Sequence, residues 1–280
     1  MPRDVQGWLG ASNGRALCIP LRRDSSLTGV VFVIDWSVED VESRLPELDR
    51  LVTRVDVALH NARLVDRVTR MSEETVEALA RAIDATSTWT AGHSKRVTRM
   101  AMALGRELRL SADALDRLYR GGMLHDVGKL GVSAHVLDKP GKLTQEEFEQ
   151  VRRHPVLGAT ILGPLSVFRD IIPLIEQHHE KFDGTGYPVG LTGPEITLEA
   201  RVLAVADVFD ALISSRPYRA AMPLETVVKI IEGDSGTHFD PYVLDAFMDL
   251  YRRDALPLAD VEVSGSEPER EADTVASGST

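Results

Sequence analysis

Apolar positions first appear in two short runs, residues 16–21 and 30–34, separated by the turn-like Arg23-Asp24-Ser25-Ser26. Short apolar runs bounded by polar turn residues predict a β-hairpin over 15–35. From about Ser43 the period changes. Leu48, Val55 and Ala62 are seven apart, Val52, Leu59 and Asp66 nearly form a second row, and Leu51, Ala58 and Val65 lie beside it. Such a seam predicts a helix that either pairs with a second copy or packs on its own sheet. Helical spacing returns at Val76, Leu79, Ala80 and Ile83, at Val97, Met100, Ala101, Leu104 and Leu108, and at Leu115, Leu118, Tyr119, Gly122 and Met123. Thr144 with Glu147 forms a capping box that opens a helix expected to carry His154. Asp240-Pro241 reads as a helix start, a cap followed by proline at the first helical position. Helices without alternating strands predict an all-α bundle from about residue 70 to 255.

From Leu256 the periodicity stops. Six acids stand against one arginine among serine, glycine and proline, the pattern of a disordered acidic tail at 256–280.

Composition changes this picture little. The 280 residues are 43% hydrophobic, 27% charged and 5% aromatic, enough for one large domain or two smaller ones. The net charge of -11 argues against a DNA-binding role, which needs a basic face. It leaves a phosphate substrate open, because bound cations can dominate a local field. Cys18, the single cysteine, cannot form an internal disulfide and is expected to be an inert buried thiol. No apolar run approaches the ~20 residues of a membrane span, and the start has no signal-peptide pattern. The chain reads as cytoplasmic.

The chemistry concentrates at residues 178–188, His-His-Glu-Lys-Phe-Asp-Gly-Thr-Gly-Tyr-Pro. Neighbouring side chains on a helix point about 100° apart, so His178 and His179 can each serve a different ion. A surface His-His pair is commoner than a ligand pair, but other stations add to it: His93, His125-Asp126, His154 and Asp207. Imidazoles with carboxylates suit iron, manganese or zinc. Seven donors exceed one tetrahedral zinc and suit a two-metal site, in which an aspartate can offer one oxygen to each ion. Two such ions can hold a bridging hydroxide for in-line phosphoryl displacement. If a helix ends near Gly128, Lys129 can swing toward the ions and meet a phosphate oxygen; a solvated surface lysine is the plain alternative. Gly184 and Gly186 are expected to supply positive φ in a tight loop.

These residues resemble the HD-GYP domain, a branch of the HD phosphohydrolase superfamily. The matching stretches are Thr90-Ala91-Gly92-His93-Ser94 with Arg96-Val97, Leu124 to Leu130, Lys139-Pro140-Gly141 with Leu143, His154-Pro155 with Gly158, and the 178–188 signature. They continue through Ala204 to Leu212, Arg216-Pro217-Tyr218-Arg219 and Gly236 to Pro241. The resemblance implies a mainly α, HD-type helical bundle over 67–255 that hydrolyses cyclic di-GMP. It implies His93, His125, Asp126, His154, His178, His179 and Asp207 as metal ligands with Asp126 bridging, and Lys129 on a substrate phosphate. Asp183, Tyr187, Arg216 and Arg219 would hold the nucleotide.

Two positions depart from the family pattern. Members with a third metal carry a glutamate four residues before the first histidine, where this chain has Trp89. The resemblance therefore implies two metal ions, iron or manganese, and pGpG as the main product. The family's usual Ile-Pro-Asp is replaced by Val132-Ser133-Ala134. Ahead of this domain, residues 1–66 resemble the C-terminal part of a GAF sensor domain, through Cys18 to Leu21, Thr28 to Val33 and Ala58 to Leu64. That adds a short hairpin and helix remnant of an α/β fold. The alternative to hydrolysis is a non-hydrolytic signalling module that binds cyclic di-GMP or a GGDEF-domain protein, with a homodimer through the helix at 43–85.

Overall fold

The N-terminal hairpin forms as expected, with longer strands. In this computed structural model β1 (Ala16–Arg23) pairs antiparallel with β2 (Ser26–Ile34), Ile19 opposite Val31, with a register shift between Leu21 and Arg22. The structure describes residues 16–23, 26–34, 38–87, 90–215 and 220–258. The expected acidic tail lies almost wholly outside them, as do Trp89, Arg216, Arg219 and the Cys18 side chain. Two compact units divide the chain, residues 1–73 and 74–280.

In the first unit, Leu21 is buried, and the Thr28 hydroxyl donates to the Leu21 carbonyl at 3.0 Å. Helix α1 (Val38–Asp84) runs 47 residues. The sequence placed a helix at 43–85; the helix begins a few residues earlier, and no glycine or proline falls between 47 and 84 to break it. Along the seam Leu48 and Val52 are buried, whereas Leu51, Leu59 and Val65 are exposed. In the last turns Val76, Ala80 and Ile83 are buried as the pattern requires, but Leu79 lies on the exposed face.

The second unit is mainly helical, as expected. Helices α2 (His93–Glu107), α3 (Ala112–Leu124) and α8 (Leu198–Ile213) pack together, with α9 (Leu224–Gly233) and α10 (Pro241–Arg252) closing one side. Their common core holds Val97, Met100, Leu104, Leu118, Val202 and Phe247. A second core joins Val76, Ala80 and Ile83 to Leu124, Val127, Ile171 and Ile175. Caps set the boundaries. Ser111 accepts from the Ala114 amide at 3.2 Å, and Asp240 accepts from the Tyr242 amide at 2.9 Å ahead of Pro241.

Between these elements lie a 3-10 turn over Val127–Gly131, a short α4 (Ala134–Leu137), α5 (Gln145–Arg152), α6 (His154–Leu162) and α7 (Ile172–Gln177). The Thr144–Glu147 capping box is present and opens α5. It does not open the helix carrying His154: the chain breaks at Arg153, and His154 begins α6 with proline behind it. Among the described residues no helix is long and apolar enough to cross a membrane.

Candidate metal centre

Helix ends build the site. An α-helix leaves its last carbonyls without intrahelical partners, and a side chain just beyond the end can fold back to satisfy one. Three histidines do so. His125 follows α3, His154 follows α5, and His178 follows α7 rather than lying within it. Their Nδ1 atoms contact the carbonyls three residues earlier, Gly122 at 2.8 Å, Val151 at 2.7 Å and Ile175 at 2.8 Å. A carbonyl only accepts, so each Nδ1 carries the proton and each Nε2 keeps its lone pair. His93 is oriented differently: its Nδ1 lies 2.8 Å from Asp210 Oδ2, which turns Nε2 toward the cluster.

The Nε2 atoms converge on Asp126. Its Oδ1 lies 3.3 Å from His154 Nε2, while Oδ2 lies 3.4 Å from His125 Nε2 and 3.6 Å from His93 Nε2. Asp207, in the middle of α8, places Oδ1 at 3.3 Å from His93 Nε2. Three overlapping donor groups result, His154 with His178 and His179, His93 with His125 and Asp207, and His125 with Asp126 and His178. Within each, the donor atoms lie within 4.8 Å of one another.

Two features are costly unless a cation is bound. His125 Nε2 is fully buried with no hydrogen-bond partner. His154 Nε2 and His178 Nε2 face each other at 3.1 Å, and both Nδ1 protons are already committed to carbonyls. The donor set therefore fits a divalent metal centre.

The electrostatics follow from burial and from these neighbours. Burial pushes His154 down to about 4 and His179 to about 3, and His178 well below its ordinary value. Burial opposes a charged His93 too, but the Asp207 and Asp210 carboxylates outweigh it and raise the ring to about 9. Asp126 and Asp207 are desolvated yet held well below the usual carboxylate range, Asp126 by Lys129 and the histidines, Asp207 by His93. The α3 helix ends at Leu124, earlier than the sequence suggested, and the following 3-10 turn carries Lys129. Lys129 Nζ sits 2.5 Å from Asp126 Oδ2, with its side chain 21% exposed, so it borders both the carboxylate and solvent.

The signature loop lies beside this cluster. The Tyr187 ring is 4.8 Å from that of His179, and burial together with the Asp207 and Asp126 charges raises its phenol, which stays protonated. The Arg152 guanidinium lies over the Tyr187 ring at 4.8 Å. Asp183 is exposed, and its carboxylate accepts from the Thr185 amide at 2.9 Å and hydroxyl at 2.7 Å, which organises its own turn. Gly184 has the expected positive φ of 82°, but Gly186 does not. Gly186 is required by crowding: a Cβ there would meet the Lys181 nitrogen at 2.3 Å. Backbone bonds from Phe182 to the His238 carbonyl, 3.1 Å, and from Asp183 to that of Thr237, 2.9 Å, tie the loop to the segment before α10.

Several contributors went unassigned in the sequence. Asp210 orients His93 and is itself held by Arg96 Nε at 2.7 Å. Buried Glu180 accepts from the amides of Val189, 2.8 Å, Gly190, 3.0 Å, and Leu191, 3.1 Å, which closes the signature loop. Both stood inside quoted motifs, but only the fold brings their partners to them.

An HD-domain family model matches residues 77–243, and the chain belongs to that family of HD-domain proteins. Its relatives include the 3'3'-cGAMP-specific phosphodiesterase 3 of Vibrio cholerae serotype O1, 47% identical over 168 residues, which cover 59% of this chain and 36% of the relative. The cyclic di-GMP phosphodiesterase response regulator RpfG of Xanthomonas campestris pv. campestris is 39% identical over 186 residues, covering 66% of this chain and 49% of the relative. A crystal structure of a V. cholerae cyclic GMP-AMP specific phosphodiesterase, V-cGAP3, aligns with a TM-score of 0.52 at 20% identity. That alignment covers 64% of this chain and 48% of the other, and shows the shared fold. The matches to the first two relatives span half of their length or less.

Proposed function

We propose that this chain is a metal-dependent phosphodiesterase that opens cyclic di-GMP to pGpG. The observation that carries the reading is the convergence of histidine Nε2 atoms on Asp126, with the opposite ring nitrogens of four histidines fixed by carbonyls or by Asp210. His93, His125, Asp126, His154, His178, His179 and Asp207 would hold two divalent cations, iron or manganese. The two Asp126 oxygens face different histidines, which suits a bridging role. When bound, the two cations supply a hydroxide at neutral pH for in-line attack on phosphorus and take up charge on the phosphoryl oxygens.

The chain's own groups do the rest. Lys129 turns its ammonium from Asp126 to a phosphoryl oxygen as charge develops there. Tyr187, kept protonated beside His179, would donate a hydrogen bond to the substrate. Glu180 and the 237–238 backbone hold the signature loop in place. Arg216 and Arg219, outside the described residues, are suited to the nucleotide's phosphates by their bidentate donors.

A specific observation favours a second substrate, because the relative 47% identical to this chain is named for 3'3'-cGAMP. Anaerobically purified protein reconstituted with iron or manganese should be incubated with each cyclic dinucleotide and the products separated. Accumulation of the linear dinucleotide, stopped by a chelator, is expected. Binding without cleavage would overturn the hydrolase reading in favour of a receptor module. Three metal ions per chain would overturn the dinuclear assignment.

A further inference from the structure

A cavity of about 700 Å³ opens beside the cluster, and apart from Lys129 its lining side chains have no part in the chemistry described above. Lys129 belongs to both, since it lines the cavity and lies 2.5 Å from Asp126. Val151 also lines it, and its carbonyl holds His154. The remaining wall has two characters. Leu143 and the half-exposed ring of Phe148 are apolar, while Lys139 and Lys142 bring positive charge from the Lys139-Pro140-Gly141 segment. Lys139 is paired with Glu147 at 2.6 Å. Lys142 is exposed and has no carboxylate within ion-pair distance among the described residues.

An apolar platform with a free ammonium beside it matches a base and its phosphate, and a cavity of this size is within the usual range for small-molecule sites. Bases stack on aromatic faces, and an ammonium takes up a phosphate charge. We infer that this cavity is the subsite for the half of the cyclic dinucleotide that is not being cleaved: its purine stacks on Phe148 and its phosphate meets Lys142. Lys129 then stands between the two halves, next to the scissile phosphate. Phe148 also connects to the signature loop, because the Arg152 guanidinium lies 5.9 Å from its ring and 4.8 Å from that of Tyr187. Stacking on Phe148 thus braces the Arg152–Tyr187 pair on the side of the cluster.

The inference deepens the hydrolase reading and rests on it, so two measurements keep them apart. Hydrolysis of bis(p-nitrophenyl) phosphate by the manganese-loaded full chain tests the metal site without a nucleobase. The dissociation constant of a hydrolysis-resistant phosphorothioate analogue of cyclic di-GMP tests the cavity. Phe148→Ala is expected to weaken binding roughly 5- to 100-fold, the range for loss of one base stack. Lys142→Ala should weaken it about tenfold, more so at low ionic strength. Both positions are surface-accessible, so metal content and thermal midpoint should match the wild type. Binding by the wild type that neither variant weakens overturns the subsite even if bis(p-nitrophenyl) phosphate is cleaved. Binding that depends on Phe148, with no cleavage of bis(p-nitrophenyl) phosphate or of cyclic di-GMP itself, keeps the cavity as a nucleotide-binding site and overturns the hydrolase reading. Absence of binding to the wild type overturns both.

Discussion

At the scale of single residues the site depends on which ring nitrogen holds a proton. Asp210 decides this for His93, from 117 residues away in the chain. Replacing it with alanine leaves Nδ1 without an acceptor and frees Arg96 from its carboxylate. Loss of such an orienting partner typically costs about 10- to 100-fold in metal affinity. Asp210→Ala is therefore expected to weaken metal binding by that factor in a competitive chelator titration, and Asp210→Asn, which keeps an oxygen acceptor, to recover part of it. Equal affinities in all three proteins would remove Asp210 from the site. Asp126→Ala should go further and abolish metal loading and turnover together, because it removes both facing oxygens. Metal analysis that still finds two ions would refute its bridging assignment. The candidate donors could be picked out in the sequence because histidines and aspartates recur at several stations, their ligand roles came from the resemblance, and the structure brings these residues together. Asp210 and Glu180 were not assigned, because what identifies them is a partner's location, and motif spacing does not encode that.

At the scale of elements, helix existence was legible from apolar spacing and from caps such as Thr144–Glu147 and Asp240-Pro241. Helix ends were less so, and here the ends are what matter. His125, His154 and His178 each sit immediately after a C-terminus or one residue beyond it, where a carbonyl of the last turn fixes the ring. Periodicity alone lets a helix run on through Arg153 to His154, because nothing in the pattern marks a one-residue break. The signature loop shows the converse case: its glycines were visible, but crowding rather than backbone sign explains Gly186. What shapes this loop is the buried Glu180 carboxylate, accepting from three successive amides. Glu180→Gln keeps the size but sets an amide donor against those N–H groups. A cost of about 1–3 kcal/mol is expected for a buried donor left unsatisfied. The variant should melt at lower temperature and be cut faster by protease within residues 183–191. An unchanged melting point with unchanged cleavage would show that the loop stands without this carboxylate.

At the scale of the whole molecule, the cluster couples folding to pH and to metal. In metal-free protein His93 is raised to about 9, so between pH 6.5 and 9 the folded state holds a proton that the unfolded chain has released. Its contribution to stability is complete below 6.5 and is lost as the pH rises through 9. His154, His178 and His179 act in the opposite sense, because burial keeps them neutral while the unfolded chain takes up protons. Their contribution is present above 6.5 and is lost as the pH falls toward 4 and 3. Asp126 and Asp207, both lowered, add to the loss on the acid side below the ordinary aspartate value. Chelator-treated protein should therefore be most stable to urea near pH 6.5. It should lose stability on the alkaline side by on the order of 1 kcal/mol per pH unit, the slope of one proton's difference. Bound metal displaces the His93 proton, so loading should release protons, strengthen with rising pH up to about 9, and erase the alkaline decline. Metal should also raise the midpoint overall in proportion to the logarithm of its free concentration over the dissociation constant. Urea midpoints of stripped and manganese-loaded protein at pH 5.5, 6.5 and 8.5 test all of this. A stripped protein as stable at 8.5 as at 6.5 would mean that His93 is neutral in the fold and that Asp207 and Asp210 do not hold it charged.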